Sequence, residues 1–413
     1  MMTSMNNTPV RLRAEILAKP PYVQGAEPAP GGFKLSSNEN PYEPLPSVVS
    51  SVLSGNHFNR YPDASVSILR ETLAARFGVG LDEVHVTAGS VSLLYQLVAA
   101  AAGAGDEYIY SWRSFEAYPG LGVITGATPI AVPNRPDSSH DLDAIAAAIT
   151  DRTRLIVLCS PNNPTGNAIS TADFEAFMER VPPHLLVVLD EAYREFVTDL
   201  QAVDGTKYWG SSSASSPAAP VDFPAAPDST LKVPAGSPTA PSREARYPNL
   251  VILRTFSKAY GLAGLRIGYG IGDARILAAA RTAGIPMSVT DSAQQAALAS
   301  LEPRAEEELL SRVSTIVRRR DHLVAALRAA GWNIPDTQGN FLWIPLGQHT
   351  VEAARLFAEA GLIVRPFGGE GIRISIGEEE SLAPILSTAA RIYSTLPQGH
   401  SARTVHATKG NTQ

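Results

Sequence analysis

The sequence predicts an α/β protein, with a mostly parallel sheet between helices in a large domain and a smaller α+β domain after it. Three observations carry this reading. Short apolar runs without polar alternation ("EYIYS", "RLIVLC", "LLVVLD", "NLVILR") suit strands buried on both faces. Helical patterns alternate with the strands: "GSVSLLYQLVAAAA" follows "EVHVT", and "STADFEAFMERV" follows "SPNNPTG". From about Asp291 the texture changes. "DSAQQAALASL" and "EPRAEEELLSRVSTIVRRRDHLVAALRAAG" read as amphipathic helices, and "FLWIPL", "LIVRP" and "GIRISIG" as short strands.

A chain of 413 residues exceeds one core of ordinary size, so two domains are expected. The predicted organisation is a disordered tail over 1–18, an N-terminal arm over 19–45, a large domain over 46–290, a small domain over 291–396 and a disordered, frayed tail over 397–413. The stretch 201–246 is rich in serine, alanine and proline and lacks apolar periodicity. It is expected to be a disordered surface insertion, because such a composition buries too little surface to offset its ordering entropy. A net charge of −6 speaks against nucleic acid or an anionic membrane as partner. No apolar run reaches membrane-spanning length, and the N-terminus lacks the apolar core of a signal peptide. One cysteine, Cys159, fits a reducing cytoplasm, and the scattered histidines give no metal-ligand spacing.

Four motifs lie just after apolar runs, where open parallel sheets bind ligands. In "TAGSVS" the amides of Gly89, Ser90 and Val91 can reach an anion at a helix N-terminus, although taken alone the residues read first as a plain tight turn. "SPNNPTG" holds Asn163 between two prolines, as a ligand contact or a turn. In "VVLDEAYREF", Asp190 leaves an apolar strand, where a carboxylate needs a cation or donor; it is otherwise an N-cap. Tyr193, one helical turn on, can face the same ligand. In "RTFSKAYGLAGLR", burial would lower the pKa of Lys258 and make it a nucleophile, while Ser257 and Arg266 can bind phosphate oxygens.

Together the motifs supply a carboxylate for a cationic ring nitrogen, an amide and a phenol for a ring hydroxyl, an amine for an aldehyde and a cradle for a phosphate. Pyridoxal 5′-phosphate has all four features. The chain here resembles the fold-type I pyridoxal-phosphate aminotransferases, in the histidinol-phosphate and aromatic amino acid branch. The resemblance runs from about Lys19 to Ser394 outside the insertion, through "PPYVQG", "LSSNENPY", "NRYPD", "AGSVSL", "WRSFEAYP", "SPNNPTG", "LDEAYREF", "RTFSKAYGLAGLRIGY", "QGNFLWIPL" and "VRPFGGEGIRISIG".

The resemblance implies that Lys258 bonds the cofactor aldehyde and moves the proton between the substrate α-carbon and the cofactor. Asp190 keeps the pyridine nitrogen protonated, Asn163 and Tyr193 hold the ring oxygen, and Phe115 stacks on the ring. Ser257, Thr255, Arg266 and the amides near Ser90 hold the phosphate. Tyr61 matches a tyrosine that reaches the neighbouring subunit's phosphate, which implies a homodimer with shared sites. Arg373 matches the arginine that grips a substrate carboxylate, and Arg365 a second anion-binding arginine that holds the substrate phosphate in histidinol-phosphate enzymes. Tyr22 and Asn38 belong to an arm that would lid the pocket.

"WRSFEAYP" and "VRPFGGEGIRISIG" are most similar to the actinobacterial aromatic (phenylalanine) aminotransferases, with Phe115 and Phe367 as expected apolar walls for an aromatic side chain. The insertion is longer than the family pattern. The resemblance therefore implies transfer of an amino group from phenylalanine, tyrosine or tryptophan to a 2-oxo acid, with 2-oxoglutarate expected. Histidinol-phosphate transamination is the alternative. A decarboxylase of the same fold and a non-catalytic regulatory module are more distant ones.

Overall fold

The computed structural model describes residues 10–18, 26–55, 58–209 and 245–404. The strands are β1 (Phe33–Leu35), β2 (Val84–Thr87), β3 (Glu107–Trp112), β4 (Thr128–Pro133), β5 (Thr153–Cys159), β6 (Leu186–Asp190), β7 (Leu250–Thr255), β8 (Gly268–Ile271), β9 (Phe341–Ile344), β10 (Leu362–Phe367) and β11 (Gly371–Ser375). Seven of them form one sheet in the order β2-β8-β7-β6-β5-β3-β4, and β8 alone runs against its neighbours. The remainder form a four-stranded sheet in the order β1-β10-β11-β9.

The apolar runs of the large sheet lack alternation because both faces are covered. Ile156, Leu158, Val187, Leu189, Leu250 and Ile252 enter one core, and Leu155, Val157, Leu186, Val188, Val251 and Leu253 enter the other. Successive side chains of a strand point to opposite faces, so the central positions of each strand feed two cores and are apolar. The parallel strands end together, with Cys159 beside Asp190 and Asp190 beside Leu253. Polar residues placed after them therefore meet along one edge of the sheet.

The helices are α1 (Ala14–Leu17), α2 (Pro46–Gly55), α3 (Ser67–Phe77), α4 (Ser90–Ala101), α5 (Leu142–Ala147), α6 (Thr171–Met178), α7 (Ala274–Thr282), α8 (Asp291–Leu301), α9 (Pro303–Ala329), α10 (Thr350–Glu359) and α11 (Leu382–Thr395). Helix α8, expected at the start of the small domain, packs against α2 and α3 as well as α9. Helix α9 carries an arginine at a core position: Arg320 is 1% exposed. Its guanidinium donates to the carbonyls of Phe196 (3.0 Å) and Gly339 (3.2 Å), which ties the helix to the loops after β6 and before β9. Within the arm, Phe33–Leu35 pairs in parallel with β10, so the arm joins the small sheet.

Three boundaries differ from the sequence expectation. Gln201–Trp209, assigned to the insertion, is packed: Asp204 pairs with Arg254 at 3.0 Å, Gly205 donates to the buried Glu191 at 2.8 Å, and Trp209 is buried. A buried charge cluster anchors these residues, and composition does not reveal it. Residues 397–404, assigned to a frayed tail, are docked, because Asn333 N–H donates to Ala402 O at 2.8 Å and the Arg403 guanidinium sits 4.2 Å from the Tyr393 ring. Residues 10–18, assigned to the N-terminal tail, include α1, and Arg13 donates to Ile124 O at 3.1 Å. Tyr22 and residues 210–244 of the expected insertion lie outside the described residues.

The flanks of 210–244 are joined directly, since Arg246 N–H donates to Tyr208 O at 3.2 Å. A four-residue Gly-Ser linker in place of 210–244 is therefore expected to leave the thermal midpoint within about 2 °C of the parent by calorimetry. A fall of about 8 °C or more would mean that the deleted residues carry part of the fold.

Candidate active site

The strand ends and the loops after them enclose a cavity of about 440 Å³, within the range of small-molecule sites. It is lined by residues from β1 to β11. Lys258, Arg266, Arg365 and Arg373 supply four positive charges, against three carboxylates from Glu39, Glu116 and Asp190. The balance favours an anionic ligand.

Asp190 stands at the floor, 4% exposed. Tyr118 Oη donates to its Oδ2 at 2.9 Å and Ala192 N–H to its Oδ1 at 3.2 Å. No arginine, lysine or histidine forms an ion pair with it among the described residues. Burial pushes its carboxyl up to about 6, with the phenol and the amide pulling the other way. The backbone beyond it is a turn before a short 3-10 helix, and that turn brings Tyr193 round to the same cavity. Tyr193 Oη accepts from Asn38 Nδ2 at 2.9 Å, and its ring meets Phe341 edge-on at 4.9 Å. Burial raises its phenol well above the ordinary range.

Lys258 follows β7. Its Nζ donates to Ser37 O at 3.3 Å. Burial above all, with the positive charges of Arg373 and Arg266, lowers its pKa to about 8, against Glu39 and Asp190. Roughly a tenth of the amine is therefore neutral at pH 7, a few hundred times more than an unperturbed lysine supplies, as a nucleophile requires.

One wall of the cavity gathers hydroxyls, a guanidinium and a helix N-terminus, the groups that bind phosphate. Helix α4 begins at Ser90, and Ser90 and Val91 line the cavity at its N-terminus. Thr255 Oγ1, Ser257 Oγ and the Arg266 guanidinium converge there, with Thr255 to Ser257 at 3.0 Å and Arg266 to Ser257 at 3.4 Å. Two positions demand glycine: Gly89 by its backbone, with φ +84°, and Gly268 by close approach, since a Cβ there would stand 2.5 Å from Ser90 N.

Asn163 and Arg373 meet directly, Arg373 Nη1 donating to Asn163 Oδ1 at 2.6 Å. Arg373 also donates to the Ser36 carbonyl. Arg365 pairs with Glu116 at 2.9 Å. Phe115 lines the cavity and packs edge-on against Tyr118 at 5.6 Å. Asn38 sits behind the wall rather than in it, bonded to Tyr193 and Ser375. Phe367 does not line the cavity, contrary to expectation; it is buried against Trp343. Tyr61 is 86% exposed and lies outside the cavity.

Sequence reasoning missed Tyr118, Glu116, Ser36, Ser37 and Glu39. The last three lie in "LSSNENPY" and the first two in "WRSFEAYP", so the motifs were found but not the side chains that turn inward.

The model of the family "Aminotransferase class I and II" matches residues 30–388. The chain belongs to the class I and II aminotransferase family. An aromatic amino acid aminotransferase of Streptomyces avermitilis is 47% identical over 381 residues, covering 91% of this chain and 96% of that protein. One from Thermobifida fusca is 44% identical over 389 residues, covering 93% and 98%. Among solved structures, a histidinol-phosphate aminotransferase from Sinorhizobium meliloti in complex with pyridoxal-5′-phosphate superposes with a TM-score of 0.77 at 22% identity, covering 95% of this chain and 100% of that one. This last likeness establishes the fold.

The donor set fits the aminotransferase cofactor. Asp190 is a dry carboxylate facing a cavity, the amine in the same cavity is partly neutral, and at the α4 N-terminus the backbone comes so close that no side chain fits at Gly268.

In the cofactor-free protein the raised Asp190 pKa has a signed consequence. The folded state binds the proton more tightly than the unfolded state, so stability falls as pH rises from about 4 to about 6 and the full cost is present above that. Asp190→Asn removes the charge. It is expected to stabilise the cofactor-free protein by up to about 3 kcal/mol at pH 8 and hardly at all at pH 4, measured by urea unfolding. Equal effects at both pH values would contradict the desolvated carboxylate.

Proposed function

We propose that this aminotransferase uses pyridoxal 5′-phosphate to move the amino group of an aromatic amino acid to a 2-oxo acid, with 2-oxoglutarate the acceptor. The observation that carries the chemistry is the pairing in one cavity of a dry carboxylate, Asp190, with a lysine whose pKa is lowered to about 8, Lys258. The aromatic substrate is supported by relatives of 44–47% identity that span most of the chain.

Asp190 is suited to hold a protonated ring nitrogen, which relieves its own desolvation. Asn163 and Tyr193 would hold the ring oxygen, and Phe115 would cover the ring face. The α4 amides with Thr255, Ser257 and Arg266 would hold the phosphate. When bound, the cofactor supplies an aldehyde that condenses with amines and a cationic ring that draws electrons from the substrate α-carbon. Arg373 binds the substrate α-carboxylate by its planar guanidinium and so fixes the direction of the α-carbon–hydrogen bond. Lys258 Nζ would take that proton as a base and release it again, which requires the neutral amine that burial favours. Tyr118 acts through Asp190 by fixing the carboxylate with a donated hydrogen bond.

The active unit is proposed to be a homodimer. Phe58, Tyr61, Ile285 and Met287 are exposed by 87%, 86%, 79% and 44%. The segments that carry them approach one another, since Asp63–Val66 and Ile285–Val289 line one small cavity and Gln294 donates to Asp63 O. Exposed apolar residues gathered like this suit a subunit contact, and Tyr61 would reach the partner's phosphate from it. No helix among the described residues is long and apolar enough to cross a membrane. The one cysteine, free and buried, accords with a cytoplasmic location.

The substrate assignment is tested by a half-reaction. Cofactor-loaded protein is mixed separately with phenylalanine and with histidinol phosphate, and the change in cofactor absorbance is followed. Phenylalanine is expected to react faster per unit concentration, and Lys258→Ala to abolish both reactions. A faster reaction with histidinol phosphate would overturn the aromatic assignment.

A further inference from the structure

The cofactor and the α-carboxylate account for Asp190, Lys258, Arg266 and Arg373, but not for the pair Glu116–Arg365. Arg365 stands directly opposite Arg373 across the antiparallel β10–β11 pair, so the two arginines share one face of the small sheet. Like charges in that position repel, and each needs an acceptor. Arg373 faces uncharged ones, Asn163 Oδ1 and the Ser36 carbonyl. Arg365 faces a carboxylate: its Nε lies 3.3 Å from Glu116 Oε2, and its Nη2 lies 3.1 Å from Oε1 and 2.9 Å from Oε2. The pair is partly withdrawn from water, with side-chain exposures of 19% for Arg365 and 37% for Glu116, and both residues line the cavity. Glu116 is adjacent in sequence to Phe115, so one loop presents both an aromatic ring and an anion to the substrate.

We propose that Glu116 is a specificity-determining residue: it occupies Arg365 and so handicaps substrates that carry a second anion, a carboxylate or a phosphate monoester, relative to substrates with an apolar side chain. This rests on the aminotransferase reading above. A phenylalanine-like donor leaves the pair closed and packs against Phe115. A substrate with a second anion must draw Arg365 away from Glu116 and then lie beside the displaced carboxylate. It forfeits a multidentate, partly desolvated ion pair and meets a like charge. An amino acceptor with two carboxylates therefore binds through an exchange of partners at Arg365.

The test compares wild type, Glu116→Gln, Glu116→Asp, Arg365→Gln and the Glu116→Gln/Arg365→Gln double variant. Half-reaction rate constants per unit concentration are measured for phenylalanine, glutamate and histidinol phosphate. Dissociation constants for the unreactive analogues glutarate and 3-phenylpropanoate are measured by calorimetry on the cofactor-loaded protein. Glu116→Gln is expected to raise the glutamate-to-phenylalanine or the histidinol phosphate-to-phenylalanine ratio by about tenfold, and to tighten glutarate relative to 3-phenylpropanoate by a similar factor. A rise confined to glutamate identifies a carboxylate as the second anion, and one confined to histidinol phosphate identifies a phosphate. Glu116→Asp, which keeps the charge, is expected to stay near the wild-type ratios. In the Arg365→Gln background the gain is expected to vanish.

Unmoved ratios in Glu116→Gln, or a gain that survives in Arg365→Gln, would overturn the role of Glu116. Those results leave the aromatic reading standing as long as the wild type prefers phenylalanine. A wild type that prefers histidinol phosphate would overturn that reading whatever the variants do.

Discussion

A negative charge held almost dry at the end of a central strand is the constraint on which the site depends. Asp190 can stay there only because β6 is covered on both faces and ends level with β5 and β7. Tyr118 and the Ala192 amide stabilise the carboxylate without neutralising it. An isolated buried charge is costly, so the folded chain is poised to gain by accepting a cation at that point. The same desolvation acts in the opposite sense on Lys258, releasing its proton toward neutral pH. One low-dielectric cavity thus produces both an electron-drawing anchor and a nucleophilic amine.

The anion-binding groups are arranged around that axis. The α4 N-terminus and Arg266 stand together on one wall, Arg373 meets Asn163 and the Ser36 carbonyl, and Arg365 meets Glu116. In the proposed reading these are three anion sites that differ in what already faces the cation, and that difference, more than the count of arginines, would separate a phosphate cradle from an α-carboxylate clamp and from a side-chain filter.

Much of this was legible in the sequence because the large sheet is buried on both faces. Apolar strand cores make the polar residues at their C-terminal ends conspicuous, and Asn163, Asp190, Thr255, Ser257 and Lys258 all stand within a few residues of such an end. Arg373 was legible for the related reason that an arginine inside a short strand needs an acceptor. Tyr118 and Glu116 were not, because the loop after β3 has no periodicity from which side-chain direction follows. Asp204 and Gly205 resembled linker residues, yet they serve the buried Arg254–Glu191 cluster, whose partners are distant in sequence. Phe367 was expected in the wall because it is aromatic and near Arg365; it shares the Arg365 face of β10 but lies outside the cavity, packed edge-on against Trp343 with the Arg113 guanidinium 5.2 Å from its ring. Tyr61 is exposed on its own chain, so its expected role depends on a second subunit.

The central claim is that Asp190 holds a positive charge on the cofactor ring. The most direct measurement is the nitrogen-15 chemical shift of the ring nitrogen in protein loaded with labelled pyridoxal phosphate, recorded between pH 6 and pH 9 for wild type and Asp190→Asn. The account predicts a protonated ring nitrogen throughout that range in the wild type and a deprotonated one in the variant. A deprotonated ring nitrogen in the wild type at pH 7 would contradict it.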